Sequence, residues 1–251
     1  MTTDDPPAIL VRHEGPLCRL TLNRPGRGNA LGPEMVAALD AALTEAMQAG
    51  ARLLVLLGAG RHFCTGFDLS GLEDLSDADL LQRFVRVELL LQRIHASPMT
   101  TMAVAAGRTT GAGADLFTAC DRRLALPSAR FAFPGSAFGL VLGTARLAAR
   151  IGEDAARILL LDGTEIGAAA ATSIRLATAP VKDAAIEDAV AAALRGATRL
   201  DAETVGLLHR AIRPGDGGAA DDAALATLIR SAARPGLRDR ILRYRDGLRR
   251  D

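Results

Sequence analysis

The chain has 251 residues, the size of one domain or of one domain with a small appendage. Hydrophobic residues make up 49% and charged residues 24%, a globular composition that argues against a disordered chain. Lys+Arg 30 against Asp+Glu 29 leave a net charge of +1, so no global field selects nucleic acid or an acidic surface.

Cys18, Leu20 and Leu22 alternate with polar Arg19 and Thr21, the pattern of a half-buried strand. Gly32-Pro33-Glu34 opens a helix whose apolar stripe is Val36, Leu39, Leu43 and Ala46, and Gly50 ends it. The unbroken run from Leu53 to Leu57 predicts a strand buried on both faces. Ser76 and Asp79 form a capping pair for the next helix, whose apolar positions run from Leu80 through Phe84, Val87 and Leu91 to Ile94; Pro98 closes the segment. Met102 to Ala106 reads as a second buried strand running into a turn at Gly107, Gly111 and Gly113, with short strands around Leu124 and Phe131. After Gly143 the pattern is helical almost to the end, broken near Gly163, Pro180, Gly215 and Pro235. Alternation followed by clustered helices predicts an α/β core with a helical C-terminal extension, divided near residue 195.

Three widely spaced cysteines, Cys18, Cys64 and Cys120, point to neither a disulfide framework nor a zinc site. The start MTTDDPPAIL lacks the basic and apolar regions of a signal peptide, and no apolar run approaches the ~20 residues of a membrane helix. The expectation is a soluble cytoplasmic protein, with no metal, no membrane and no nucleic-acid partner.

Gly58-Ala59-Gly60 after a strand invites a dinucleotide site, but Phe63 stands where the third glycine belongs and turn-like Cys64-Thr65-Gly66-Phe67-Asp68 follows in place of a helix. There is no glycine-lysine pair and hence no phosphate loop of the Walker type. Two glycine-bearing turns after two buried strands can each present a backbone N–H outside the sheet ladder. Two such donors converging on one oxygen make an oxyanion hole. The alternative is that the glycines only make tight turns.

Four segments, in order, carry a resemblance. They are Leu22-Asn23-Arg24-Pro25 with Asn29-Ala30-Leu31; Gly60 to Leu69; Ala105 to Leu116 ending in Ala119-Cys120-Asp121; and Arg130-Phe131-Ala132-Phe133-Pro134 with Gly139-Leu140. Together they resemble the crotonase superfamily, the enoyl-CoA hydratase/isomerase family, over roughly residues 8 to 180. The resemblance implies a crotonase-like spiral of ββα units over residues 1–195 holding an acyl-CoA site. Residues 196–251 become a helical oligomerisation region, and the assembly a homotrimer or dimer of trimers. It implies an oxyanion hole from the backbone N–H groups of Phe67 and Ala112, and CoA or substrate contacts at Arg27, Gly28, Asp68, Leu69, Gly111 and Gly135. A coenzyme A thioester is implied as substrate, with no further cofactor.

Hydratases of this family place two glutamates around one water. Here the first position is Asp115, one methylene shorter, and the second is Gly135, which has no acid. Asp115 is the candidate catalytic residue, against a helix-capping role; Asp162 or Glu165 are candidates for a replacement acid. Losing one positioned acid/base group commonly costs 10²–10⁴-fold, which puts efficient hydration in doubt. His62 adjoins the first glycine turn, the one that carries Phe67, as a pocket or a loop histidine. The C-terminal run of Arg230, Arg234, Arg238, Arg240, Arg243, Arg245, Arg249 and Arg250 is interrupted by acids and reads as an ion-paired face or as a set of CoA phosphate ligands. The functions in play are an acyl-CoA lyase or isomerase, a decarboxylase or thioester hydrolase on the same oxyanion hole, and a non-catalytic acyl-CoA-binding subunit.

Overall fold

The computed structural model describes residues 6–212 and 218–247. It opens with a hairpin, β1 (Ile9–Glu14) and β2 (Leu17–Leu22), followed by α1 (Pro33–Gln48), β3 (Leu53–Gly58) and α2 (Asp77–His95). Next come β4 (Thr100–Ala105), β5 (Arg108–Thr110), α3 (Ala112–Ala119), β6 (Arg122–Ala125) and β7 (Arg130–Ala132). The remainder is α4 (Thr144–Ile151), α5 (Glu153–Leu161), β8 (Ile166–Gly167), α6 (Ala168–Ser173), β9 (Ala179–Pro180), α7 (Ile186–Thr198), α8 (Ala202–Ile212), α9 (Gly218–Ala232) and α10 (Leu237–Gly247).

The elements anticipated through residue 132 are present within two residues of their expected ends. The start of α2 is the anticipated capping box: Ser76 Oγ accepts from Asp79 N at 3.1 Å, and the Asp79 carboxylate accepts from Ser76 N at 2.9 Å. Four strands escape the sequence pattern, among them β5, which stands where a turn from Gly107 to Gly113 is expected. β1 is a sheet edge whose middle residues are exposed, so its side chains show no buried period. β8 and β9 are two residues each, too short for any periodicity, and are fixed by pairing with β7 and β6. Gly215, Arg249 and Arg250 lie outside the described residues.

A six-stranded sheet runs β1-β2-β3-β4-β6-β9, antiparallel at the β1–β2 edge and parallel beyond it; a second sheet runs β5-β7-β8. Parallel pairing needs a crossover, and α1 and α2 supply those of β2–β3 and β3–β4. Leu54, Leu56, Ala103 and Ala105 face the α1–α2–α3 core, while the alternate positions Leu53, Val55, Met102 and Val104 meet Val190, Ala193 and Ala197 of α7. Burial on both faces explains why these strands read as unbroken apolar runs.

The boundary expected at residue 195 falls inside α7, whose apolar face packs on the main sheet. The last helices do not stand apart from the core. Leu228, Ala232, Leu237 and Ile241 of α9 and α10 bury against Leu80 and Phe84 of α2 and against Leu140 of the loop after β7. Asp77 at the start of α2 accepts from the backbone N–H groups of Gly236, Leu237 and Arg238, satisfying donors at the start of α10 across the chain. Those bonds, Arg238 foremost, hold the Asp77 carboxyl below its usual range.

Candidate active site

The segment Phe63–Asp68 threads between the start of α1 and β5, and its hydrogen bonds decide which amides remain free. Phe63 N donates to Ala106 O, Cys64 N to Arg108 O and Thr110 N to Cys64 O, tying one edge to β5. On the other edge Leu31 N donates to Gly66 O and Asp68 N to Leu31 O. Pairing of this parallel kind uses the residues on either side of Phe67, so the Phe67 N–H turns to the opposite edge, toward β5 and Gly111. Gly66 makes the close approach feasible: it sits at φ 100°, and a Cβ there would lie 2.6 Å from Thr110 O and 3.5 Å from Ala112 N.

Ala112 is the first residue of α3, where helical geometry leaves the N–H without an intrahelical acceptor. Among the described residues, neither the Phe67 N–H nor the Ala112 N–H has a hydrogen-bond partner. Both residues line one cavity of about 260 Å³.

The cavity is walled mainly by apolar side chains, including Phe84, Phe133, Phe138 and Leu142, and the ring of Phe67 stacks on that of Phe84 at 4.1 Å. Tyr244 of α10 joins the wall, its ring 5.3 Å from that of Phe138, so the C-terminal extension completes this chain's own cavity. Asp115, on the first turn of α3, supplies the carboxyl group in the lining and is 5% exposed. No described side chain or amide hydrogen-bonds its carboxyl group. Burial pushes it up to about 8, with Arg146 drawing it down and Glu88 pushing it up.

Of the expected site residues, Phe67, Leu69, Gly111, Ala112, Asp115 and Gly135 come together in this lining, and Arg27, Gly28 and Asp68 do not. Arg27 is exposed on a short 3-10 turn, and Gly28 is set beside the cavity wall, its carbonyl accepting from Thr65 N at 2.9 Å. Asp68 Oδ1 accepts from Ser70 N at 2.9 Å and the carboxyl packs beside Gly32, a turn-closing role. Asp162 and Glu165 are exposed and lie outside the lining.

The Enoyl-CoA hydratase/isomerase family model matches residues 12–204, which holds both free amides and Asp115. The chain belongs to this family. A crystal structure of a putative enoyl-CoA hydratase/isomerase from Bordetella parapertussis superimposes with a TM-score of 0.91 at 42% identity, covering 94% of this chain and 98% of that one. A probable enoyl-CoA hydratase (echA6) of Mycobacterium tuberculosis is 38% identical over 152 residues, 59% of this chain and 60% of that protein's length. An ethylmalonyl-CoA decarboxylase of Gallus gallus is 35% identical over 146 residues, 56% of this chain and 49% of its own.

In this family member the Asn29-Ala30-Leu31 signature is a brace. Asn29 is fully buried at φ 56°; its Oδ1 accepts from Arg24 N at 2.9 Å, and its Nδ2 donates to Ala59 O at 2.9 Å and His62 O at 2.7 Å. His62 is likewise structural: Nδ1 accepts from Arg108 N at 3.0 Å, and burial, with Arg61 and Arg108 nearby, lowers its basicity.

Sequence reasoning missed the ion pair behind Asp115. Glu88 of α2 and Arg146 of α4 are both buried and joined by two hydrogen bonds of 2.8 and 2.6 Å. Gln92 Nε2 donates to Glu88 Oε1 at 2.9 Å and to Asp221 O at 2.9 Å. The signal for it in the sequence is the place of Glu88, one turn after Phe84 and one turn before Leu91, on the apolar stripe of α2.

Proposed function

We propose that this chain acts on acyl-CoA thioesters, the amides of Phe67 and Ala112 holding the thioester oxygen as negative charge develops on it and Asp115 moving the proton. The observation that carries this reading is the pair of partnerless amides on one apolar cavity, beside a single buried carboxyl group. Two N–H donors aimed at an enolate oxygen stabilise charge that the ground-state thioester lacks, and a dry wall strengthens that effect. The surrounding aromatic and aliphatic side chains suit an acyl chain.

With a carboxyl at about 8, Asp115 is mostly protonated at pH 7 and acts first as a donor. Protonation of an enolate needs one such donor; double-bond isomerisation uses the same group twice, its minor carboxylate form taking a proton from the substrate and the resulting acid returning it. Hydration needs a second group to activate water, and Gly135 offers none. A second reading therefore has support: decarboxylation of a malonyl-type acyl-CoA, in which loss of CO₂ leaves the enolate and Asp115 protonates its α-carbon. The same hole would also serve thioester hydrolysis, or acyl-CoA binding without turnover.

The test is product analysis with enoyl-CoA, 3-hydroxyacyl-CoA and malonyl-type CoA esters, on the wild type and Asp115→Asn. Isomerised or decarboxylated product, lost in the variant, is expected. Unchanged turnover in Asp115→Asn removes Asp115 from the mechanism, and tight binding with no turnover of any ester favours the non-catalytic reading. We also propose self-association as a trimer or dimer of trimers through α8, which exposes Leu207, Leu208 and Ile212. A monomeric mass by light scattering would refute it.

A further inference from the structure

Arg146 is held from one side only. Glu88 takes both terminal nitrogens, whereas Nε is buried and has no hydrogen-bond partner among the described residues. Such a donor is expensive to strand in a protein interior. Asp115 is the complementary case, a buried carboxyl with no donor from any described residue. Gly143, the residue before α4, presses against it: a Cβ there would fall 2.1 Å from Asp115 Oδ1, so no side chain other than hydrogen fits between the start of α4 and the acid.

We propose that Arg146 is a positioning residue for proton transfer at Asp115: anchored by Glu88, its guanidinium supplies the counter-charge and the spare Nε–H for the carboxylate that remains once Asp115 has given up its proton. The proposal rests on the acyl-CoA reading above. In the step it describes, the electron pair of the enolate double bond forms the new C–H bond. The Asp115 O–H bond breaks, its electron pair stays on the carboxylate, and the carbonyl of the thioester is restored. The negative charge thus moves from the oxygen held by Phe67 and Ala112 to Asp115, where burial leaves it little solvation. A fixed guanidinium lowers the cost of that charge without needing to reorganise.

The charged groups acting on Asp115 are Glu88 on α2 and Arg146 on α4, and Asp221 on α9 acts in turn on Arg146. Of the direct influences on the carboxyl group, Arg146 outweighs Glu88. Removing the pair together therefore makes ionisation of Asp115 harder, even though the pair is neutral as a whole.

The experiment is an NMR titration of the full chain without substrate, following the Asp115 carboxyl carbon and the Arg146 Nε resonance. In the wild type the Nε signal should shift with the same midpoint as Asp115, and in Asp115→Asn it should lose that transition. In Glu88→Gln/Arg146→Gln the Asp115 midpoint should rise by about one pH unit, a tenfold change in the ionisation constant. A role in packing alone would move neither signal. An Arg146 Nε signal indifferent to Asp115, or an unmoved Asp115 midpoint in a folded double variant, overturns the proposal; the first measurement decides if the double variant does not fold. Binding of a non-hydrolysable acyl-CoA thioether to the wild type, run in parallel, reports separately on the acyl-CoA reading.

Discussion

Replacing Asp115 by asparagine should stabilise the protein, and by an amount that depends on pH. The carboxyl group moves from its ordinary 3.8 to about 8 on folding, because burial disfavours the charged form more than Arg146 restores it. Below pH 3.8 both the native and the unfolded chain carry the proton, and the acid costs nothing by this route. Between 3.8 and 8 the unfolded chain is ionised while the native acid stays neutral, so wild-type stability is lost as pH rises, at about 1.4 kcal/mol per unit. From about pH 4.5 to about pH 7.5 that amounts to about 4 kcal/mol, which is large against a total of about 5–15 kcal/mol for a domain. Asparagine keeps the planar shape and cannot ionise. Urea denaturation of the two proteins across this range should show the variant gaining on the wild type by roughly that amount. Any fixed penalty from the amide shifts the whole curve and leaves its slope alone. A stability difference that is flat with pH would refute the account of Asp115 as a neutral buried acid.

Other outcomes follow from the same geometry. A step in which Asp115 donates its proton should slow as pH rises through about 8, because the donor is lost, and a stopped-flow pH profile would show the decline. Gly135→Glu should introduce hydration of crotonyl-CoA: a Cβ at this position makes ordinary contacts of 3.5 and 3.9 Å with Leu140, so the backbone accepts a side chain there, and a gain of about 10²-fold is expected in the enoyl absorbance assay. Asn29→Ala removes a brace of three hydrogen bonds and puts alanine at φ 56°, and should cost about 3 kcal/mol in a denaturant titration. All three thiols are buried, with Cys18 pushed up to about 11 and Cys64 and Cys120 to about 12, so the native protein should resist a thiol reagent at about pH 8 until denaturant is added.

The sequence by itself settled most elements up to residue 132, β1 and β5 excepted, because an apolar run such as Leu53–Leu57 and a capping pair such as Ser76 and Asp79 are local signals. It also located the two turns that carry Phe67 and Ala112, since those turns need glycine at Gly66 and Gly111 and are therefore visible as motifs. Only the tertiary structure decided the rest. Whether an amide is free depends on what the neighbouring segment bonds, and Leu31 is far from Phe67 along the chain. That Asp115 holds its proton follows from burial, opposed in net by two charges on other helices, neither of which has any spacing relation to it. Asp68 matched the motif yet closes a turn, and Tyr244, in a region expected to serve assembly, walls the cavity. Local patterns record what the backbone needs where they stand; the character of a site is set by side chains that meet only when the chain has folded.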